Sequence, residues 1–377
     1  MTGFLPVLEF NITALIFILF CVMALTQVTF SILIFSRLSF HKAKTKDDEL
    51  DGVSILITAR NESENIFKNL PFILNQDYPN YEVIVINHQS SDDSKYILDV
   101  YTRDYKNLKV ISIERNQHLK YGKKLPLTIG IKGAKYNALL FTDIDCKPQG
   151  NQWLKSMASH FSDKHQIVLG HAPYSKTKGL LNKVIRFDTT WIAMNYLSMA
   201  KAKVPYMGTG RNMAYTRHVF EKVSGFKSHY SLSPGEDNLF IQEAAKKKNY
   251  TINIAPESFC YSKACSTWDQ WMKQKSRHYT SSDRYKVIKK LLLGIYPSSL
   301  LIMLVSFVTL LSDSSFIWIS LAIFTLVTFV KWIIIGKSFK KLNASKFIVL
   351  LPLLDIAYAI LTPIMYYAID KTNNKKW

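Results

Sequence analysis

Apolar positions along this chain fall into two regimes. At both ends they run on without interruption, whereas in the middle they recur with the alternating and helical spacings of a globular domain. Residues 12–35 carry no charge, and three later runs, 291–311, 316–335 and 347–369, each have roughly the 20 residues that cross a hydrocarbon core. Four membrane segments are therefore expected. Lys331, near the end of the third, is placed to snorkel, and the fourth contains Asp355 and Pro363. The first eleven residues hold Glu9 but no Lys or Arg, and the apolar run that follows is long, so it reads as a retained anchor and not as a cleaved signal.

In the middle, 53–59, 83–87, 108–113, 138–142 and 167–170 read as buried strands, with amphipathic stretches at 62–74, 93–105 and 125–135 between them. This alternation predicts an α/β, Rossmann-like domain with a mostly parallel sheet whose ligand site lies beyond the C-terminal strand ends. Three polar groups fall at those ends: Arg60-Asn61-Glu62, Asn87-His88-Gln89 and Asp143-Ile144-Asp145. A helix over 182–200, a glycine-containing loop at 207–212 and a helix starting near Glu236 follow. The segment 266–284 sets Trp268, Trp271, Met272, Lys275 and Tyr279 among basic residues, a pattern suited to a helix in a membrane interface. The expected layout is 1–11 outside, 12–35 spanning, 36–265 globular, 266–290 interfacial, and 291–377 holding three membrane segments and a tail.

The net charge of +20 would suit a nucleic-acid binder, but topology accounts for much of it. Arg37, Lys42, Lys44 and Lys46 follow the first span, and Arg284, Lys286, Lys289 and Lys290 precede the second, which puts both ends of the globular domain on the cytoplasmic side of a multi-pass inner-membrane protein. Lys337, Lys340, Lys341 and Lys346 fit the same scheme. Lys371, Lys375 and Lys376 then fall outside, against the rule, and a re-entrant fourth segment would remove the conflict. Of the four cysteines, Cys21 lies in the first span, and Cys146, Cys260 and Cys265 have no metal-ligand spacing, so neither a zinc site nor a disulfide framework is indicated. No pattern points to an oligomeric state.

Three short motifs carry candidate chemistry, each with a plainer alternative. Asp143 and Asp145, one residue apart at a strand end, either share a hard divalent cation, Mg²⁺ or Mn²⁺, or are ordinary loop acids. Glu236 and Asp237, where a loop enters a helix, either cap that helix or supply a general base. Gln274, Arg277 and His278 form either a solvated basic face or a clamp on a diphosphate or acceptor.

In this order and at these distances, the motifs resemble those of the membrane-bound members of glycosyltransferase family 2, over about residues 53–279. The resemblance implies a GT-A fold and a nucleotide-sugar donor. It implies metal binding by Asp143 and Asp145, and a catalytic base at Asp237 in Gly235-Glu236-Asp237. The Gln-x-x-Arg-Trp motif falls on Gln274 and Arg277, with His278 in place of the Trp that packs near the acceptor in processive synthases. Arg60, Glu62 and Lys123 fall in donor-side elements. Asn87 and His88 stand where the family has an Asp that reads the base, and the Asn87 amide can pair with a uracil edge. Gly208, Thr209 and Gly210 match the acceptor-side loop, beside Glu236.

The implied reaction is a single displacement with inversion, from a UDP-sugar to a lipid or lipid-linked glycan. A processive exopolysaccharide synthase of the chitin, cellulose or poly-N-acetylglucosamine kind is the alternative, and a non-catalytic membrane binding protein is a rival from another class. No nucleic-acid partner is expected.

Overall fold

The computed structural model describes residues 12–42, 52–114, 122–232, 234–246 and 248–369. The expectations that fall on residues 1–11, Lys44, Lys46 and the tail from Lys371 lie outside the described residues. Contacts divide the chain into two compact units, one gathering the segments up to His41 and from Lys286 to Ile369, the other ending at Tyr285.

The globular unit is built on nine strands: β1 (Val53–Ala59), β2 (Tyr81–His88), β3 (Leu108–Ile113), β4 (Ala138–Phe141), β5 (Cys146–Pro148), β6 (Ile167–Leu169), β7 (Met213–Thr216), β8 (Tyr250–Ile252) and β9 (Cys260–Ser262). Seven form one sheet in the order β3-β2-β1-β4-β7-β6-β8, while β5 and β9 pair separately. All pairs in the large sheet are parallel except those of β7, which runs antiparallel to β4 and β6. Every residue of β1 is buried, because helices cover both faces and leave no polar side to alternate. The Lys124–Gly133 helix lies so close that a Cβ on Gly130 would come within 2.7 Å of Ile86 and 2.9 Å of Leu56. Chain order reverses at β1, with β2 on one side and β4 on the other, and the space beyond a switch point of this kind is the expected ligand cleft.

The strands and helices predicted between 53 and 170 are present with ends shifted by one or two residues. Strand β7 was not anticipated: four residues have no periodicity of their own, and the strand exists through its pairing with β4 and β6.

The second unit holds four helices long and apolar enough to cross a membrane: Ile12–Ser39, Val287–Leu310, Ile317–Lys341 and Leu351–Ala368. The first continues past 35 through a π-type turn at Ser31–Phe35, and Ser39 Oγ, at its far end, hydrogen-bonds Ile334 O at 2.6 Å and Ser338 Oγ at 2.8 Å. The expectation that Lys331 snorkels is corrected. It is 5% exposed, and its Nζ lies 2.7 Å from Asp355 Oδ2. Tyr296 OH donates to the same carboxylate at 2.9 Å. A cation and an anion on neighbouring helices satisfy each other here, which keeps Lys331 from reaching a headgroup.

The Trp268–Ser282 helix groups with the globular unit, and the second unit begins at Lys286. Trp271 and Lys275 are buried in the globular unit, and Lys275 Nζ lies 2.5 Å from Asp188. Trp268 alone of the two tryptophans stays exposed.

Candidate active site

Beyond the C-terminal ends of β1 and β4 lies a cavity of about 570 Å³, within the range of small-molecule sites. One wall is acidic. Arg60 and Glu62 follow β1, Asp143 and Asp145 follow β4, and Lys123 stands at the start of the Lys124–Gly133 helix. Lys123 Nζ donates to Asp143 Oδ1 at 2.6 Å. Burial opposes the Lys123 charge, yet Asp143, with Glu236 and Asp145 behind it, holds the ammonium above its ordinary value. Burial and then the Asp143 charge push Asp145 above the usual carboxylate range. Burial likewise raises Glu62, partly offset by the hydrogen bond it accepts from Asn65 Nδ2 at 2.6 Å.

These residues suit a hard divalent cation. Asp143 and Asp145 offer oxygen ligands to one cavity, and the crowding that raises Asp145 is the kind that a 2+ charge relieves. Among the described residues no group of three or more His, Cys, Asp and Glu side chains could hold an ion alone. The remaining ligands of a cation here would come from a donor's phosphates and water, as is common for Mg²⁺.

A second wall carries Asp237, and its two readings hold together. Asp237 is the N-cap of the Asn238–Ala244 helix, accepting from Asn238 N at 2.6 Å, and its other oxygen accepts from Gly210 N at 3.1 Å, yet the residue lines the cavity. Burial raises its carboxyl, and the two backbone N–H groups oppose that rise. Gly235 precedes the pair at φ +110°, a conformation that side chains rarely adopt. Glu236 is pushed up to about 7 by burial and by the Asp237 charge, and its Oε2 is buried without a hydrogen-bond partner.

The third wall comes from the Trp268–Ser282 helix. Gln274 Nε2 donates to Tyr174 OH at 3.0 Å, and Arg277 and His278 line the cavity together with Gly208, Thr209 and Gly210. The structure thus brings most of the expected site residues to one place.

It does not bring Asn87 and His88 there. Neither lines the cavity, and His88 is fully buried at the end of β2. Burial, then the Arg60 charge, hold the His88 imidazole below its usual value, so it sits neutral in the interior. Nearby, Asn61 N donates to Ser90 Oγ at 2.9 Å and Ser91 N to Asn61 Oδ1 at 2.7 Å, which ties the loops after β1 and β2 together. Asp92 caps, accepting from Ser63 N at 2.9 Å and Ser94 N at 3.1 Å.

Asp188 and its pairing with Lys275 escaped sequence reasoning, while Arg211 was read only as part of the 207–212 loop. The Arg211 guanidinium lies 4.4 Å above the Tyr174 ring and donates to Ser262 Oγ. Asp188 and Lys275, 87 positions apart, meet in the same cavity. Arg211 was the one with a signal, since it follows Gly210 and precedes Asn212. Asn212 is buried and fixes that loop by donating to His171 O and Ser258 O, both at 2.7 Å, while Trp153 Nε1 donates to its Oδ1 at 3.1 Å.

Two family models match the chain: Glycosyl transferase family 2 over residues 54–224 and Glycosyl transferase family group 2 over residues 151–366. Among curated relatives, the chain is 26% identical over 250 residues to a probable glycosyltransferase, YdaM, of Bacillus subtilis, covering 64% of this chain and 57% of that one. It is 30% identical over 189 residues to the glycosyltransferase AglE of Haloferax volcanii, covering 48% of this chain and 57% of that one. The chain thus spans little more than half the length of either relative. Among solved structures, the mannosyltransferase PcManGT of Pyrobaculum calidifontis, in complex with GDP-Man and Mn²⁺, superimposes with a TM-score of 0.55 at 16% identity, over 88% of this chain and 99% of that one. That likeness bears on the fold, which is GT-A. With the second of the two family models matched over more than half its length, the chain belongs to Glycosyl transferase family group 2.

Proposed function

We propose that the protein is an inverting glycosyltransferase that moves a sugar from a nucleotide-sugar donor, UDP-linked, to a lipid or lipid-linked glycan at the cytoplasmic face of a membrane. The observation that carries this reading is the meeting of the Asp143–Asp145 pair and the Asp237 carboxylate in one cavity at the switch point of the sheet.

Asp237 is positioned to take the proton of an attacking hydroxyl. The N–H groups of Gly210 and Asn238 fix its two oxygens and favour the ionised form, which a base requires. Lys123 and Arg277 both line the cavity and offer positive charge to a diphosphate. Asp145, with Asp143 alongside, would hold a divalent cation, whose contribution would be positive charge beside a departing diphosphate. With attack and departure on opposite faces of the anomeric carbon, an α-linked donor gives a β-linked product.

The acceptor reading rests on His278 in the position of the Trp associated with processive synthases, and on four helices as the only apolar spans among the described residues. Incubating the detergent-purified protein with a panel of sugar nucleotides, reading nucleotide release and analysing the lipid fraction by mass spectrometry tests the proposal. A uridine nucleotide should be released and one sugar added to a lipid. Long polymer would favour the processive reading, preferred use of a guanosine donor would overturn the base assignment, and no turnover with any donor would favour a binding protein.

A further inference from the structure

Lys124 has no part in the chemistry described so far, and its surroundings are unusual for a lysine. It is 4% exposed, beside Lys123 at the start of the Lys124–Gly133 helix. Its Nζ donates to three backbone carbonyls: His229 O at 2.6 Å, Leu232 O at 2.6 Å and Pro234 O at 3.1 Å. An ammonium has three donors, and here each has an acceptor, all from the segment that runs directly into Gly235-Glu236-Asp237. Neighbouring ammonium groups thus serve two walls of the cavity: Lys123 holds Asp143, and Lys124 holds the lead-in to Asp237.

We propose that Lys124 is a positioning residue for the reaction: by gathering the carbonyls of His229, Leu232 and Pro234 around one buried ammonium, it fixes the lead-in segment and through it the Asp237 carboxylate. The inference rests on the reading of Asp237 as base. The segment ends at Gly235, whose φ of +110° makes the turn into Glu236 and Asp237, and besides Lys124 it is held by the hydrogen bond from Leu232 N to His229 O at 3.2 Å and by the approach of His229 to Glu243. The three carbonyls around one ammonium add a link from the Lys124–Gly133 helix to this segment, and buried polar networks of this kind specify one arrangement when every member is satisfied. Burial pushes Lys124 down to about 8, and the charges of Glu236 and Asp237 oppose that fall, which places its ammonium within electrostatic reach of both acids.

The test uses the full chain in detergent with Lys124→Met, which keeps the stem and removes the donors, and Lys124→Arg, which restores charge. Donor affinity, turnover and amide exchange over residues 229–237 are measured on each. The expectation for Lys124→Met is donor affinity within about twofold of the parent, turnover lower by roughly 10²-fold as for a misplaced catalytic group, and faster exchange confined to 229–237, with part of the turnover regained in Lys124→Arg. Unchanged turnover and exchange would overturn the proposal. So would a general loss of exchange protection with donor affinity falling in step, because Lys124 would then support the fold alone; if Lys124→Met fails to fold, the comparison is made on Lys124→Gln. Asp237→Asn in parallel separates the two readings. If it retains turnover while the Lys124 variants lose it with local loosening, the base assignment fails and the clamp stands; if it is inactive while they are unaffected, the clamp alone fails.

Discussion

Lys123 Nζ and Asp143 Oδ1 are 2.6 Å apart at the acidic wall of the cavity, so an internal cation already answers one of the two carboxylates that a divalent ion would share. Asp145 has no comparable partner and is raised by burial and by Asp143. The metal should therefore depend chiefly on Asp145. Asp145→Asn is expected to abolish most of the gain in nucleotide affinity produced by Mg²⁺ or Mn²⁺, while affinity in chelator changes little. Calorimetry with and without the ion checks this, and an undiminished metal effect would mark the pair as a strand-end feature only.

Glu236 gives a pH signature. Its folded-state value is pushed from 4.5 up to about 7, so the folded state binds this proton more tightly than the unfolded chain does. The associated stability is fully present below pH 4.5 and is lost as pH rises through about 7. Glu236→Gln, neutral at every pH, should lose that component of the pH dependence and melt higher than the parent near pH 8. Melting curves across pH 5 to 8 give the comparison, and parallel profiles for both proteins would show that Glu236 is not the group concerned.

The Lys331–Asp355 pair, with Tyr296 donating to the carboxylate, should matter more when halved than when removed. Asp355→Asn leaves a buried ammonium without its anion and should destabilise the helical unit by about 3 kcal/mol, whereas Lys331→Met with Asp355→Leu should recover much of the loss. Denaturant titration in detergent measures both. Equal losses in the single and double variants would contradict the compensation.

Topology has its own expectation. From the basic residues on both sides of the globular unit, residues 36–290 are proposed to face the cytoplasm and the N-terminus to face outside. A cysteine replacing Lys44 should resist an impermeant thiol reagent in intact cells and react after permeabilisation. Reaction in intact cells would invert the scheme.

How far the sequence was legible depended on whether a feature is local. Strand β1 declares itself in seven successive residues, and the membrane runs are longer still. Asp143, Asp145 and Asp237 were legible because each sits in a short motif at an element boundary. The pairs Asp188–Lys275 and Lys331–Asp355 were not, because each joins distant positions whose partner no local pattern names. The expectation for Lys331 followed the usual behaviour of a lone lysine near a span's end, and Asp355 supplied a stronger alternative. For Asn87 and His88 the motif order suggests a role in reading the base, whereas the structure places them in the interior at the end of β2, outside the lining of the cavity.

The central claim is that Asp237 is the base, and Asp237→Asn tests it with little change of shape: the one amide oxygen can still accept from Asn238 N and cap the Asn238–Ala244 helix, while the hydrogen bond from Gly210 N, made to the other carboxylate oxygen, is lost. Turnover and donor affinity are to be measured on one preparation of Asp237→Asn, with Glu236→Gln as neighbouring control. The account predicts intact donor binding, a loss of stability no larger than one hydrogen bond, and turnover reduced by roughly 10²- to 10⁴-fold. Turnover close to that of the parent would contradict it and move the search for the base to Glu236.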